Sequence, residues 1–85
     1  MAIPEENHNF FKCIDCSRQL ADVVVTRECE DISHNYVALC PYCDSQSETK
    51  TIKGIVAIGS VPGTKIKGFP SRNGKTVIEL AKEVQ

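Results

Sequence analysis

Four of the five cysteines form two Cys-x-x-Cys hooks, at residues 13–16 and 40–43, separated by the 23 residues 17–39. Two hooks at this spacing can place four sulfur atoms around one ion, as in structural zinc sites. Zn²⁺ takes four thiolates in a closed tetrahedron, with about 2.3 Å between the metal and each sulfur. The sequence therefore predicts one structural Zn²⁺, whose ligands are Cys13, Cys16, Cys40 and Cys43.

Disulfide bonds are the alternative use of these cysteines. A chain of 85 residues without Trp has a small hydrophobic core, so it needs disulfides or a metal ion to stabilise its fold. Residues 1–7 are polar and lack the apolar stretch of a signal peptide. Cys29 makes the cysteine count odd, which is unfavourable in an oxidising compartment. No stretch approaches the roughly 18 apolar residues of a membrane span. We therefore expect reduced thiols and a cytoplasmic, intracellular location.

Other potential ligands are not needed for the predicted metal site. Four thiolates complete the tetrahedron, so we expect His8, His34 and Cys29 to take no part in it. Cys40-Pro41-Tyr42-Cys43 also matches the dithiol motif of glutaredoxins, in which a long amphipathic helix follows the first cysteine and lowers its pKa. Residues 44–50 contain no apolar side chain that such a helix could bury. Thiol–disulfide chemistry at Cys40 and Cys43 remains a minor alternative.

Charge is distributed unevenly along the chain. Residues 1–49 carry three basic and nine acidic side chains, whereas residues 50–85 carry seven basic and two acidic ones. The first part thus has a net charge of −6 and the second +5. Such asymmetry indicates an interaction surface, although the two parts could also neutralise each other within one fold. The candidates for contact with nucleic-acid phosphates are Lys53, Lys65, Lys67, Arg72 and Lys75.

Acidic side chains suggest a second type of interaction, with a basic protein partner. They cluster in the polar segment 28–34, where Glu28, Glu30 and Asp31 form the predicted tip of a hairpin. The nucleic-acid and the protein-docking interpretations are compatible with each other.

The elements that must position these residues are mainly strands. Residues 1–9 are expected to be flexible. β-branched runs predict a hairpin over about 20–39 and a third strand over 51–58 with a bulge at Gly54, joined in one antiparallel sheet. Another short strand is predicted over 64–69. Val77, Leu80, Ala81 and Val84 follow a helical period after a Thr76–Glu79 capping box, so a helix is predicted over about 77–84.

Two hooks joined by β-structure, the second of the form Cys-Pro-x-Cys, resemble the zinc-ribbon superfamily. The resemblance covers about residues 10–58 and implies a small zinc-stabilised β-rich domain with three or more antiparallel strands. Residues 59–85 would add a loop, a short strand and the C-terminal helix to the same domain. Similar ribbons occur in transcription, replication and translation machinery.

No catalytic constellation is evident, and a zinc ion with four cysteine ligands has no open position for a substrate. We therefore expect a protein that is not an enzyme. The resemblance implies an accessory factor in a nucleic-acid-processing complex, acting through protein docking, DNA or RNA contact, or both. The alternative is a purely protein-interaction module, and no membrane partner is expected.

Overall fold

A computed structural model describes residues 8–83, which form eight β-strands in two sheets. The first sheet has the order β1-β2-β5, and the second has the order β4-β3-β8-β6 with the short β7 also paired to β8. Residues 8–83 contain no helix, and therefore none that could span a membrane. The strands are β1 (His8–Lys12), β2 (Gln19–Arg27), β3 (Ser33–Ala38), β4 (Lys50–Lys53), β5 (Ile55–Ser60), β6 (Thr64–Gly68), β7 (Ser71–Arg72) and β8 (Lys75–Lys82).

Both sheets contribute to one hydrophobic cluster. All strands except β7 contribute side chains to this cluster, mostly at alternate positions, as the period of two in an extended chain requires. Complete burial of an aliphatic or aromatic side chain stabilises the fold by about 1.5–3 kcal/mol. The cluster includes Phe11, Leu20, Ala21 and Val23 from the first sheet, and Tyr36, Ala38, Ile52, Ile78 and Leu80 from the second sheet.

The predicted C-terminal helix over 77–84 is wrong. Residues 75–82 form strand β8, and Val84 lies outside the described residues. Thr76, Val77 and Ile78 are three consecutive β-branched residues, which favour an extended backbone. Val77 is buried on one face of the strand and Ile78 on the other, so the spacing that resembled a helix face comes from a central strand with apolar side chains on both faces.

A tight turn explains why the chain enters β8 extended. Asn73 and Gly74 both have positive φ, 52° and 75°. This conformation matches the type I′ turn that an Asn-Gly pair favours in hairpins. The turn aligns Arg72 of β7 with Lys75 of β8. The Asn-Gly dipeptide was therefore a hairpin signal, and the predicted capping box at Thr76–Glu79 begins no helix.

The predicted single sheet containing a 20–39 hairpin is also wrong. The two edges of β2 are occupied by β1 and β5, and β3 pairs with β4 and, in parallel, with β8. The predicted strand 51–58 is divided at Gly54 into β4 and β5, which belong to different sheets. Gly54 has φ +116°, and a Cβ atom there would lie 2.3 Å from the carbonyl oxygen of Arg27. Gly54 thus forms a corner between the sheets rather than a bulge.

Candidate metal centre and basic face

The first hook forms the connection between β1 and β2. The amide of Cys13 donates to the carbonyl oxygen of Arg18 at 2.9 Å, and the amide of Ser17 donates to the carbonyl oxygen of Cys13 at 3.0 Å. Ser17 closes the turn in the left-handed region, with φ 61°. This closed turn brings Cys16 back towards Cys13.

The second hook follows β3 and has a matching geometry. The amide of Cys40 donates to the carbonyl oxygen of Ser45 at 2.9 Å, and Asp44 has φ 58°. Asp44 therefore occupies the same place after the second hook as Ser17 after the first. Asp tolerates the left-handed conformation better than most residues because its short polar side chain can hydrogen-bond locally.

Backbone pairing holds the two hooks side by side. Cys13 and Ser47 form an isolated antiparallel bridge, and the amide of Ile14 donates to the carbonyl oxygen of Gln46 at 3.1 Å. The Ser47 side chain is buried, accepts from the amide of Ala38 at 2.9 Å and donates to the carbonyl oxygen of Glu48 at 3.0 Å. The relative position of the hooks is thus set by backbone hydrogen bonds.

Four sulfur atoms converge where the hooks meet. All four Sγ atoms lie within 4.8 Å of one another. The distance is 3.3 Å for Cys13–Cys43, 3.5 Å for Cys40–Cys43, and 3.8 Å for both Cys16–Cys40 and Cys16–Cys43. A tetrahedron with metal–sulfur bonds of about 2.3 Å requires sulfur–sulfur distances of about 3.8 Å. The arrangement is therefore that of a plausible single metal site, and none of the cysteines forms a disulfide.

Backbone amides favour a thiolate at Cys13. The amide nitrogens of Cys16 and Asp15 lie 3.5 and 3.4 Å from its Sγ atom. These hydrogen bonds, led by that from Cys16, lower the pKa of Cys13 to about 6 against the opposing effect of burial. The contact with the Cys13 sulfur raises the pKa of Cys43 to about 12. Thiolates are the metal-binding form, so these amide hydrogen bonds favour metal binding at the first hook.

An aromatic contact connects the second hook to the rest of the domain. The Arg18 guanidinium carbon lies 4.2 Å from the Tyr42 ring centroid, and Lys82 Nζ lies 5.1 Å from it. The Tyr42 hydroxyl donates to the carbonyl oxygen of Gly63 at 2.9 Å. No role for these residues was predicted from the sequence, although an aromatic residue inside one hook and an arginine next to the other were visible there.

The side chains expected not to be ligands lie apart from the sulfurs. His8 Nδ1 is 2.7 Å from Asp22 Oδ2 in the first sheet. His34 packs edge-on against Tyr36, with ring centroids 6.3 Å apart. Cys29 lies in the loop between β2 and β3, beside a groove of about 370 Å³. Within residues 8–83, the four-sulfur group is the only cluster of such side chains that could hold a metal ion.

A row of polar side chains crosses four strands of the second sheet. Thr51 pairs with Asn35, Asn35 with Lys75, and Lys75 with Arg72. Residues directly opposite each other in a sheet project from the same face. The Thr51 hydroxyl also donates to Asn35 Oδ1. The row therefore places Lys75 and Arg72 on the face that points away from the hydrophobic cluster, which we call the outer face of the second sheet.

Two further predicted residues join this outer face through the same register. Lys65 of β6 is opposite Ala81 of β8, and Lys53 of β4 is opposite Ser33 of β3. Lys67 lies in the irregularity between β6 and β8, so the register assigns it no face. The structure thus brings four of the five predicted basic residues to one face: Lys53, Lys65, Arg72 and Lys75.

One carboxylate lies within this basic surface. Glu79 is the only acidic residue in the strands of the second sheet, and its Oε2 atom lies 3.7 Å from Arg72 Nη2. Both side chains are partly exposed, and an exposed pair of this kind contributes at most about 1 kcal/mol. Basic side chains outnumber the single carboxylate on this face.

The predicted acidic residues Glu28, Glu30 and Asp31 are all exposed. They belong to the connection 28–32 between β2 and β3. Because these strands lie in different sheets, this connection is a crossover and not the tip of a hairpin. Two of the three, Glu28 and Glu30, border the same groove as Lys53.

Comparison of the chain with protein-family models, with curated proteins and with solved structures finds no match.

Proposed function

We propose that this protein is a non-catalytic, zinc-stabilised module of the ribbon type that binds nucleic acid through the outer face of the second sheet. The observation that carries the proposal is the strand register that aligns Lys53, Lys65, Arg72 and Lys75 on this face. An accessory role within a nucleic-acid-processing complex is compatible with the small size of the module.

The choice of zinc follows from the donor atoms. Four thiolates suit Zn²⁺ better than Mg²⁺ or Ca²⁺, which take oxygen ligands. The sulfurs enclose the central position on four sides, so the ion would have no open site for a substrate or an activated water. The ion would therefore act as a staple for a domain too small to rely on its core alone.

The basic charge of the outer face favours nucleic acid as its ligand. Phosphate contacts from Lys and Arg supply most of the non-specific affinity of nucleic-acid-binding proteins. The basic side chains on this face lie in the strands of one continuous sheet and are accompanied by Asn35 and Thr51, which offer hydrogen-bonding groups. The regularly spaced phosphates of a nucleic-acid backbone match such a surface better than a single small anion does.

A second candidate function is docking on a basic protein partner through the exposed residues Glu28, Glu30 and Asp31. Thiol–disulfide chemistry at Cys40 and Cys43 has less support. Within residues 8–83 no helix follows the second hook, and the other two sulfurs occupy the surroundings of this dithiol.

The proposal is tested by measuring affinity for single- and double-stranded DNA and RNA oligonucleotides over a salt series. The variant Arg72→Ala/Lys75→Ala should bind more weakly, and the slope of log affinity against log salt should fall by roughly one unit per lost contact. The matched control is Lys12→Ala/Arg27→Ala, which removes the same two residue types from the first sheet. Equal effects of the two variants, or no binding by the native protein, would overturn the proposal in favour of protein docking.

A further inference from the structure

Strand β5 differs from the other edge strands in its composition. Edge strands expose unpaired backbone groups, and proteins commonly protect them with Lys or other charges. β1, β4, β6 and β7 each carry a Lys or Arg. β5 has the sequence Ile-Val-Ala-Ile-Gly-Ser, without any charge. Within residues 8–83, β5 pairs only with β2, so its other edge remains open to a further strand.

The exposed side chains of β5, in the first sheet, are also uncharged and mostly apolar. Ile55, Ala57 and Gly59 are exposed, and Ile55 retains 47% of its surface accessibility. These residues pair with Arg27, Val24 and Asp22 of β2, and Asp22 pairs with Phe10 of β1, which is 43% exposed. The edge therefore continues into a partly exposed and partly apolar sheet face, on which Asp22 and Val24 are half-buried.

The sequence of β5 allows two copies of this strand to pair with each other around a centre at Ala57. An antiparallel pair of two β5 strands centred there would place Ile55 opposite Gly59 of the second copy, and Val56 opposite Ile58 of the second copy. In this register the odd-numbered residues of both strands lie on one face and the even-numbered residues on the other. The two sheets can therefore join into one continuous sheet. A Cβ atom at Gly59 would meet nothing within 4 Å, which leaves room for the isoleucine side chain.

We propose that β5 pairs antiparallel with β5 of a second copy of this chain, and that the two first sheets form one six-stranded sheet. A twofold axis requires a self-complementary surface, and β5 meets this requirement in side-chain size and in its lack of charge. A charged partner strand would find no complementary charge on β5, which favours a second copy as the occupant. This pairing leaves the outer face of the second sheet free.

The test is the molar mass of the full chain by light scattering, from micromolar to millimolar concentration with reductant present to prevent disulfide cross-links. The native protein should approach the mass of two chains. Ala57→Lys and Ala57→Glu should each give one chain, because they place like charges opposite each other at the twofold axis. The control Ser71→Lys, at an exposed position in β7, should remain dimeric.

Mixing the two Ala57 variants provides the decisive measurement. Lysine from one copy then lies opposite glutamate from the other, so the mixture should regain the mass of two chains. This recovery also shows that both variants are folded. The proposal is overturned if the native protein has the mass of one chain throughout, if either single variant remains dimeric, or if the mixture stays monomeric.

Discussion

The guanidinium group of Arg18 stacks on the ring of Tyr42, with 4.2 Å from its central carbon to the ring centroid. Arg18 follows the first hook, whereas Tyr42 lies inside the second. The contact therefore connects the two hooks independently of the sulfur atoms. The Tyr42 hydroxyl extends this connection to Gly63, in the loop between β5 and β6.

Loss of this stacking should destabilise the domain modestly. Arg18→Ala should lower the free energy of unfolding by about 0.5–1 kcal/mol, the usual contribution of an exposed cation–π contact. Tyr42→Phe keeps the ring and removes only the hydroxyl, which should cost about 0.5–1.5 kcal/mol. Urea unfolding of both variants and of the double variant measures these effects. The ring that remains in Tyr42→Phe still accepts the guanidinium of Arg18, so the loss of stability in the double variant should equal the sum of the two single losses. A double-variant loss far from that sum would show that the stacking and the hydroxyl contact are not independent.

Metal removal should unfold the region around the hooks. Elemental analysis of the purified protein should find about one zinc per chain, because the four thiolates form one closed site. Cys13→Ser and Cys40→Ser should lower the zinc content strongly, whereas Cys29→Ser should leave it unchanged. A chelator should abolish the cooperative unfolding transition. A metal-free native protein that unfolds cooperatively would rule out the structural role of zinc.

Paired substitutions in β8 distinguish a strand from the helix that the sequence predicted. Ile78 is fully buried, and Ala81 lies on the outer face opposite Lys65. Ile78→Ala should cost about 2–5 kcal/mol, and Ile78→Asp should prevent folding. Ala81→Asp should change stability by less than about 1 kcal/mol, because a carboxylate beside Lys65 is a favourable cross-strand pair. Thermal unfolding followed by circular dichroism would show the opposite order if residues 77–84 were helical.

The corner at Gly54 should tolerate no side chain. Gly54→Ala forces a residue with φ +116° and brings its Cβ atom against the backbone of Arg27. Strain of this kind costs about 1–3 kcal/mol, before any steric clash is included. Gly68→Ala is the control, because a Cβ atom there meets nothing within 4 Å, and its effect should stay within about 0.5 kcal/mol. Equal midpoints of denaturant unfolding for both variants would contradict the role of Gly54.

The sequence alone was enough to predict which four cysteines cluster and where several strands lie. Ligand type and hook spacing are local properties, and each hook needs only a short turn, so the linear pattern was enough to group Cys13, Cys16, Cys40 and Cys43. The β-branched runs that predicted strands within 20–39 correspond to β2 and β3, and the strand over 64–69, predicted from the glycines and prolines around it, corresponds to β6. The Asn73-Gly74 turn was equally local, although the helical spacing after it suggested a different structure.

Only the tertiary structure decided which strands are neighbours. Pairing between strands depends on contacts distant in sequence, and an apolar run such as 20–26 fits several partners equally well. The parallel alignment of β3 with β8 is such a contact, and it makes β8 a central strand between β3 and β6. It also brings Lys75 beside Asn35 and so creates the basic outer face, since a linear count of charges contains no information about which face a side chain occupies.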